Sequence, residues 1–203
     1  MFLRLGIVKE LVIGILSYPA WETAAMLFLT CYVFLLRLPS EALPIVVNSG
    51  GALDGQQATI CVESDVVVLC LARRKSKPQG SVLKRHCWCS SCAVTCPVHV
   101  LGTYLKSAGD GAQPFVGFSA GGALSCLRGL LEFLRVPDAN TYRTHDLRRG
   151  HARDLQANGA TLATILAAGD WRSPAFLKYL DEQQLEDDAV VEAHLGDSSF
   201  DET

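Results

Sequence analysis

The chain has no apolar run long enough to cross a membrane. Its most hydrophobic stretch, Thr23 to Leu36, is fourteen residues without a charge, where a span needs roughly 20; a buried core helix is expected there, and no membrane partner. Marks of secretion are missing as well. Arg4, Lys9 and Glu10 interrupt the apolar N-terminus and no small-residue cleavage site follows. An intracellular protein is the expectation, and in that compartment cysteines serve as thiols or metal ligands rather than disulfides. No internal repeat is visible, and 203 residues with 49% hydrophobic content exclude a disordered or collagen-like chain. Net positive charge is also lacking. With 18 basic against 21 acidic residues the sum is −3, which as an average argues against a nucleic-acid partner, because phosphate binding is dominated by Lys and Arg.

That average hides an asymmetry. All 18 basic residues lie in residues 1 to 180 beside 12 acidic ones, whereas residues 181 to 203 carry nine acidic residues and no Lys or Arg. The body is therefore +6 and the tail −9. Within the body, Arg73, Arg74, Lys75, Lys77, Lys84 and Arg85 form one basic cluster, and Arg143, Arg148, Arg149 and Arg153 another. Two such patches on one compact domain can face a phosphate backbone. The expected organisation is a domain over residues 1–186 followed by an acidic tail, 187–203.

Residues 7 to 37 read as apolar helices broken at Pro19. After Pro39 and Pro44 comes a Gly-rich loop, Asn48 to Gln57, and then β-branched runs at Thr59 to Val62 and Val66 to Leu71. Ser81 to Lys84 can pair back across the turn Lys75 to Gly80. Helices follow: one opened by Pro97, one capped by Ser119, one capped by Thr144 and ended at Asn158-Gly159, a short one from Ala160 to Ala168, and a last one started by Ser173-Pro174. The fold class expected is mainly α with a small antiparallel β-sheet.

The segment Thr144-His145-Asp146-Leu147-Arg148-Arg149 carries the most chemistry. On a helix His145 and Arg148, three apart, share a face, which sets an acid/base group beside a permanent cation. Ala152, Gly159, Leu162 and Ile165 then lead into Gly169-Asp170-Trp171, and Tyr179 follows. This arrangement resembles the catalytic domain of the tyrosine recombinases, phage-integrase-like enzymes that break and rejoin DNA, here of a mobile-element-derived, eukaryotic type. Phe34-Leu35-Leu36-Arg37-Leu38-Pro39-Ser40-Glu41 looks like the family's first arginine motif, and Lys75 sits in a hairpin turn where the family carries its catalytic lysine.

The resemblance implies roles. Arg37 and Arg148 would clamp the non-bridging oxygens of a phosphodiester, whose negative charge otherwise repels attack. Tyr179 would be the nucleophile, His145 would assist proton transfer at the tyrosine, Lys75 would protonate the departing 5′ oxygen, and Trp171 would donate to the phosphate or buttress the pocket. Arg73, Arg74, Lys77, Lys84 and Arg149 are the expected DNA-facing residues. No cofactor is implied for catalysis. Two spacings depart from the family: Trp171 to Tyr179 is one residue shorter than usual, and Glu41 lies four rather than three residues after Arg37. Arg37 also comes too early for a separate N-terminal DNA-binding domain to precede it, so the expectation is a fragment, a domesticated remnant, or an enzyme that relies on a second copy or a partner subunit for that domain. DNA as partner implies a nuclear location. A catalytically silent DNA-binding remnant is the competing expectation.

A second constellation is His86-Cys87-Trp88-Cys89-Ser90-Ser91-Cys92-Ala93-Val94-Thr95-Cys96-Pro97-Val98-His99. Cys87, Cys89, Cys96 and His99 are the preferred ligands of one structural zinc, with Cys92 as a possible substitute. Cys31, Cys61, Cys70 and Cys126 lie in apolar runs and belong to the core.

Overall fold

The structure is a computed structural model that describes residues 1–75, 77–171, 174–181, 183 and 185. Its centre is the uncharged run expected from the sequence. Helix α1 (Leu5–Ile13) and helix α2 (Glu22–Val33) are separated by short tight turns, the second opened by Pro19. Every residue of α2 from Ala24 to Val33 is buried, as befits a helix that is apolar all round. Leu35, at φ +51°, turns the chain out of α2 in the left-handed region, which costs an L-residue with a Cβ about 1 kcal/mol. The following residues, Leu38–Ala42, form one wide π-helical turn closed by the Leu43 N–H donating to the Leu38 carbonyl at 3.1 Å.

Four strands lie in chain order across one sheet: β1 (Ile45–Val47), β2 (Ala58–Glu63), β3 (Val66–Leu71) and β4 (Ser81–His86). Strands β2, β3 and β4 are antiparallel as expected, with Val66 opposite both Glu63 and His86. Strand β1 was not expected. Its three residues pair parallel to β2, Ile45 beside Ala58, and so short a run carries no period of its own. Strand β3, Val-Val-Val-Leu-Cys-Leu, is buried throughout. Strand β4 alternates, with Lys84 and His86 turned to solvent. The β3–β4 turn, which carries Arg73, Lys75 and Lys77, is closed by an isolated bridge between Arg74 and Lys77.

Helices α3 (Cys89–Cys92), α4 (Gly102–Ala108), α5 (Ala120–Phe133), α6 (His145–Ala157) and α7 (Leu162–Gly169) complete the domain. Ser119 caps α5 by accepting from the Gly122 N–H at 3.0 Å, and Gly159 leaves α6 at φ +76°, both as expected. Thr144 does not cap α6. Its backbone is already helical and its side chain makes no cap bond; the Asp146 carboxylate accepts from the Arg143 N–H at 2.9 Å. Ser173 lies outside the described residues, but Pro174 does open a helical turn, a 3₁₀ run over Pro174–Tyr179.

Helix α6 is the element that positions the site. The N-terminal segment crosses it so closely that a Cβ on Gly150 would lie 1.8 Å from the Leu3 carbonyl oxygen, and the Leu3 N–H donates to Asp146 O at 2.9 Å. The next residue, His151, stacks on Tyr32 of α2 with ring centroids 4.5 Å apart, and its Nδ1–H donates to the Tyr32 carbonyl at 2.5 Å. Burial pulls His151 down to about 4, so the ring is neutral in the fold and charges only on unfolding. A histidine held below its free value stabilises the fold fully above about pH 6.5 and loses that contribution as pH falls toward its folded value. Unfolding free energy is expected to drop by about 2 kcal/mol from this residue between pH 7 and pH 5, and His151→Gln should flatten that slope in urea titrations. An unchanged slope would refute the assignment.

Candidate active site

Glu41 is the hub of the site. The wide turn Leu38–Ala42 absorbs the extra residue between Arg37 and Glu41 and swings the carboxylate, 2% exposed, into the interior. Its Oε2 accepts from the Arg37 backbone N–H at 2.8 Å and its Oε1 from Arg37 Nη1 at 2.9 Å. Arg74 Nε donates to Oε1 at 3.3 Å, and Arg148 Nη1 stands 3.9 Å from Oε2. One carboxylate thus serves three guanidinium groups, a local surplus of two positive charges. Two buried nitrogens of this cluster, Arg74 Nη1 and Arg148 Nε, have no hydrogen-bond partner among the described residues.

Arg148, on α6, is completely buried. It donates from Nη1 to the carbonyl of the left-handed Leu35 at 2.9 Å and from Nη2 to the carbonyl of Gly169. Burial, with the repulsion of Arg37 and Arg74, lowers Arg148 to about 10. The Trp171 ring lies over it, 4.8 Å from centroid to guanidinium carbon, a favourable cation–π placement. Only glycine allows this: a Cβ on Gly169 would lie 2.2 Å from the Trp171 ring. Asp170 between them adopts φ +51°, a conformation that Asp tolerates better than most residues.

Tyr179 comes to the same corner from the 3₁₀ run. Fewer residues per turn and a longer rise than an α-helix accommodate the short interval from Trp171, and the two rings lie 5.8 Å apart. The Tyr179 hydroxyl is 2.9 Å from His145 Nε2. Arg149, which also pairs with Asp146 at 3.2 Å, covers the Tyr179 ring at 4.9 Å. Burial, reinforced by Arg148 and Arg149, pulls His145 down to about 4. Its imidazole is therefore neutral near pH 7, the form in which Nε2 can accept the phenolic proton.

Arg37, Arg73 and Lys75 line a cleft of about 560 Å³ together with Ser40, Glu41 and Gln57. Lys77 sits elsewhere: its Nζ is 3.6 Å from the Asp170 carboxylate, fastening the hairpin to the turn before Trp171. Between Lys75 and Lys77 in the same turn, Lys75 is the one beside Arg37. Lys84 is exposed on β4. One expectation is corrected here. Arg74, counted among the DNA-facing residues, is 2% exposed and committed to Glu41 and to the Leu35 carbonyl; a basic run reads as surface, and only a tertiary carboxylate draws one member inward. Glu41 and Asp170 were not assigned site roles from the sequence. The available signal for Glu41 was an i,i+4 acid after Arg37 at the end of an apolar helix; Asp170 gave none.

A second cluster lies beyond β4. Cys87, Cys89, Cys96 and His99 bring one ligand atom each within 4.8 Å of one another and could hold a metal ion. The Cys92 side chain is outside the described residues. Cys31, Cys61 and Cys70 are buried and Cys126 is half-buried, as expected.

No family model and no curated protein sequence matches the chain. Solved structures do. The XerH site-specific recombinase bound to palindromic difH substrate in a post-cleavage complex matches with a TM-score of 0.60 at 14% identity, over 95% of this chain and 52% of that one. The same recombinase bound to difH substrate in a pre-cleavage complex matches at 0.59 and 14% identity, over 93% and 53%. The chain thus spans about half the length of the recombinases it matches. Among the described residues no helix is long and apolar enough to cross a membrane. The fold is that of a tyrosine-recombinase catalytic domain.

Proposed function

We propose that the protein cleaves and rejoins DNA through a covalent phosphotyrosyl intermediate. The observation that carries this reading is the 2.9 Å contact between the Tyr179 hydroxyl and a neutral His145, set beside a cluster of three arginines served by one carboxylate. In the proposed reaction the Tyr179 oxygen attacks phosphorus while His145 Nε2 takes its proton. A phosphotyrosyl bond forms, the bond to the 5′ oxygen breaks, and Lys75 protonates that oxygen. Arg37 and Arg148 neutralise the non-bridging oxygens, and Trp171 holds Arg148 in place. Rejoining runs the same steps backward with the 5′ hydroxyl as nucleophile. Arg73, Lys77, Lys84 and Arg149 supply contacts to the flanking phosphates, and a second copy or a partner subunit completes the grip on DNA. The acidic tail, which lies outside the described residues, competes with DNA for the basic face.

A second reading, a catalytically silent DNA-binding protein, is favoured by one observation: Arg148 is sealed from solvent and donates to the carbonyls of Leu35 and Gly169. Cleavage requires it to exchange one of those acceptors for a phosphate oxygen. The two readings separate on a pool of nicked duplexes, in which strand loss after cleavage traps any adduct. The expected result is a detergent-resistant protein–DNA adduct with the wild-type chain and none with Tyr179→Phe. Salt-sensitive binding without an adduct would establish the silent reading, and an equal adduct with Tyr179→Phe would remove Tyr179 as nucleophile.

A further inference from the structure

We infer that Cys87, Cys89, Cys96 and His99 form a closed structural zinc site that fastens the end of β4 to the start of the helical segment beginning at Pro97. The distances fit the ion. A tetrahedral zinc with Zn–S of about 2.3 Å and Zn–N of about 2.0 Å sets S···S edges near ~3.8 Å and S···N edges near ~3.5 Å. Here Cys96 Sγ lies 3.7 Å from Cys87 Sγ, and His99 Nδ1 lies 3.7, 2.9 and 3.3 Å from the sulfurs of Cys87, Cys89 and Cys96. A disulfide needs its sulfurs at about 2.05 Å, so the arrangement is not a disulfide. Three thiolates and one imidazole are a donor set that suits zinc, whereas carboxylate-rich sites suit magnesium or calcium.

Three of the four ligands are fixed independently. The Cys87 N–H extends the sheet by donating to Asp65 O at 2.9 Å, Cys96 is completely buried, and His99 sits in the helical turn Pro97–Leu101. Trp88, between the first two ligands, packs against the core and lines a crevice with Tyr32, His151 and Asp154. The ion therefore pins an indole plug against α2 and α6. Four protein ligands leave no open coordination position, so the site stabilises and takes no part in catalysis.

Elemental analysis of the purified chain, produced with zinc in the medium, is expected to return one zinc per molecule. Chelation should lower the Tm by about 10 °C and shift tryptophan emission to the red as Trp88 is released. Replacement by cobalt should give the visible absorption of a tetrahedral thiolate complex. Cys96→Ser should lose the metal; if that variant fails to fold, Cys89→Ser, at an exposed position, reads the same loss. His99→Cys should keep one metal with an altered cobalt spectrum, and Cys126→Ser and Cys92→Ser should keep it unchanged. Absence of stoichiometric zinc, iron in its place, or full retention in both Cys96→Ser and Cys89→Ser would overturn the inference. None of these measurements involves DNA, so their outcome is separate from the proposed cleavage.

Discussion

Exchange of Glu41 for glutamine is expected to destabilise the fold by about 3–5 kcal/mol, the usual consequence of leaving buried charges without their counterion. The size follows from the stoichiometry at the hub. Arg74 and Arg148 are both buried, and the shared carboxylate is the only anion the described residues place against them. Removing its charge leaves two buried guanidinium groups repelling each other and Arg37. Against a typical stability of about 5–15 kcal/mol for a domain, this removes a large part of the total, with a Tm lower by about 6–20 °C. Arg37→Ala provides the contrast. Its side chain is 27% exposed, so deleting it should cost at most about 1 kcal/mol. If Glu41→Gln and Arg37→Ala shift urea midpoints equally, Glu41 is not the hub.

The second large effect concerns rate rather than stability. Arg37 lines the cleft with Lys75, Arg73 and the buried Arg74, and by the proposed mechanism it faces a non-bridging oxygen. Loss of one preorganised donor to a developing charge typically costs about 10²- to 10³-fold in rate. Arg37→Ala should therefore lower single-turnover cleavage by that factor while the protein stays folded. Arg37→Lys should recover part of it, since an ammonium keeps the charge but not the two-pronged geometry. A cleavage rate within about threefold of wild type for Arg37→Ala, well short of that expected loss, would move the clamp to other residues.

Much of this was legible in the sequence because the features are local. Thr23 to Leu36 has no charge to place at a surface, so it could only be interior. Val66 to Leu71 is too uniformly apolar for an edge. Ser119 precedes a helix with no competing acceptor nearby. The failure with the largest consequence lies in a contact between distant segments. Arg74 sits in a run of cations that reads as surface, and its burial depends on Glu41, which lies 33 residues earlier. Thr144 makes no cap because its own backbone is already helical, and Asp146 accepts instead from the Arg143 N–H before it. The three residues of β1 owe their strand to β2 beside them. The two unusual spacings were visible as numbers, but their resolution was not. A π-helical turn lies at Leu38–Ala42, where the extra residue falls, and a 3₁₀ run at Pro174–Tyr179, before the early tyrosine.

The most direct measurement is identification of the amino acid joined to DNA. Wild-type protein trapped on nicked duplexes would be digested with protease and the nucleotide-bearing peptide fragmented in a mass spectrometer. Nucleotide carried through a 3′-phosphate on Tyr179 is the result expected from a hydroxyl held 2.9 Å from a neutral His145. Nucleotide on any other residue, or a linkage through the 5′-phosphate, would contradict the proposed chemistry.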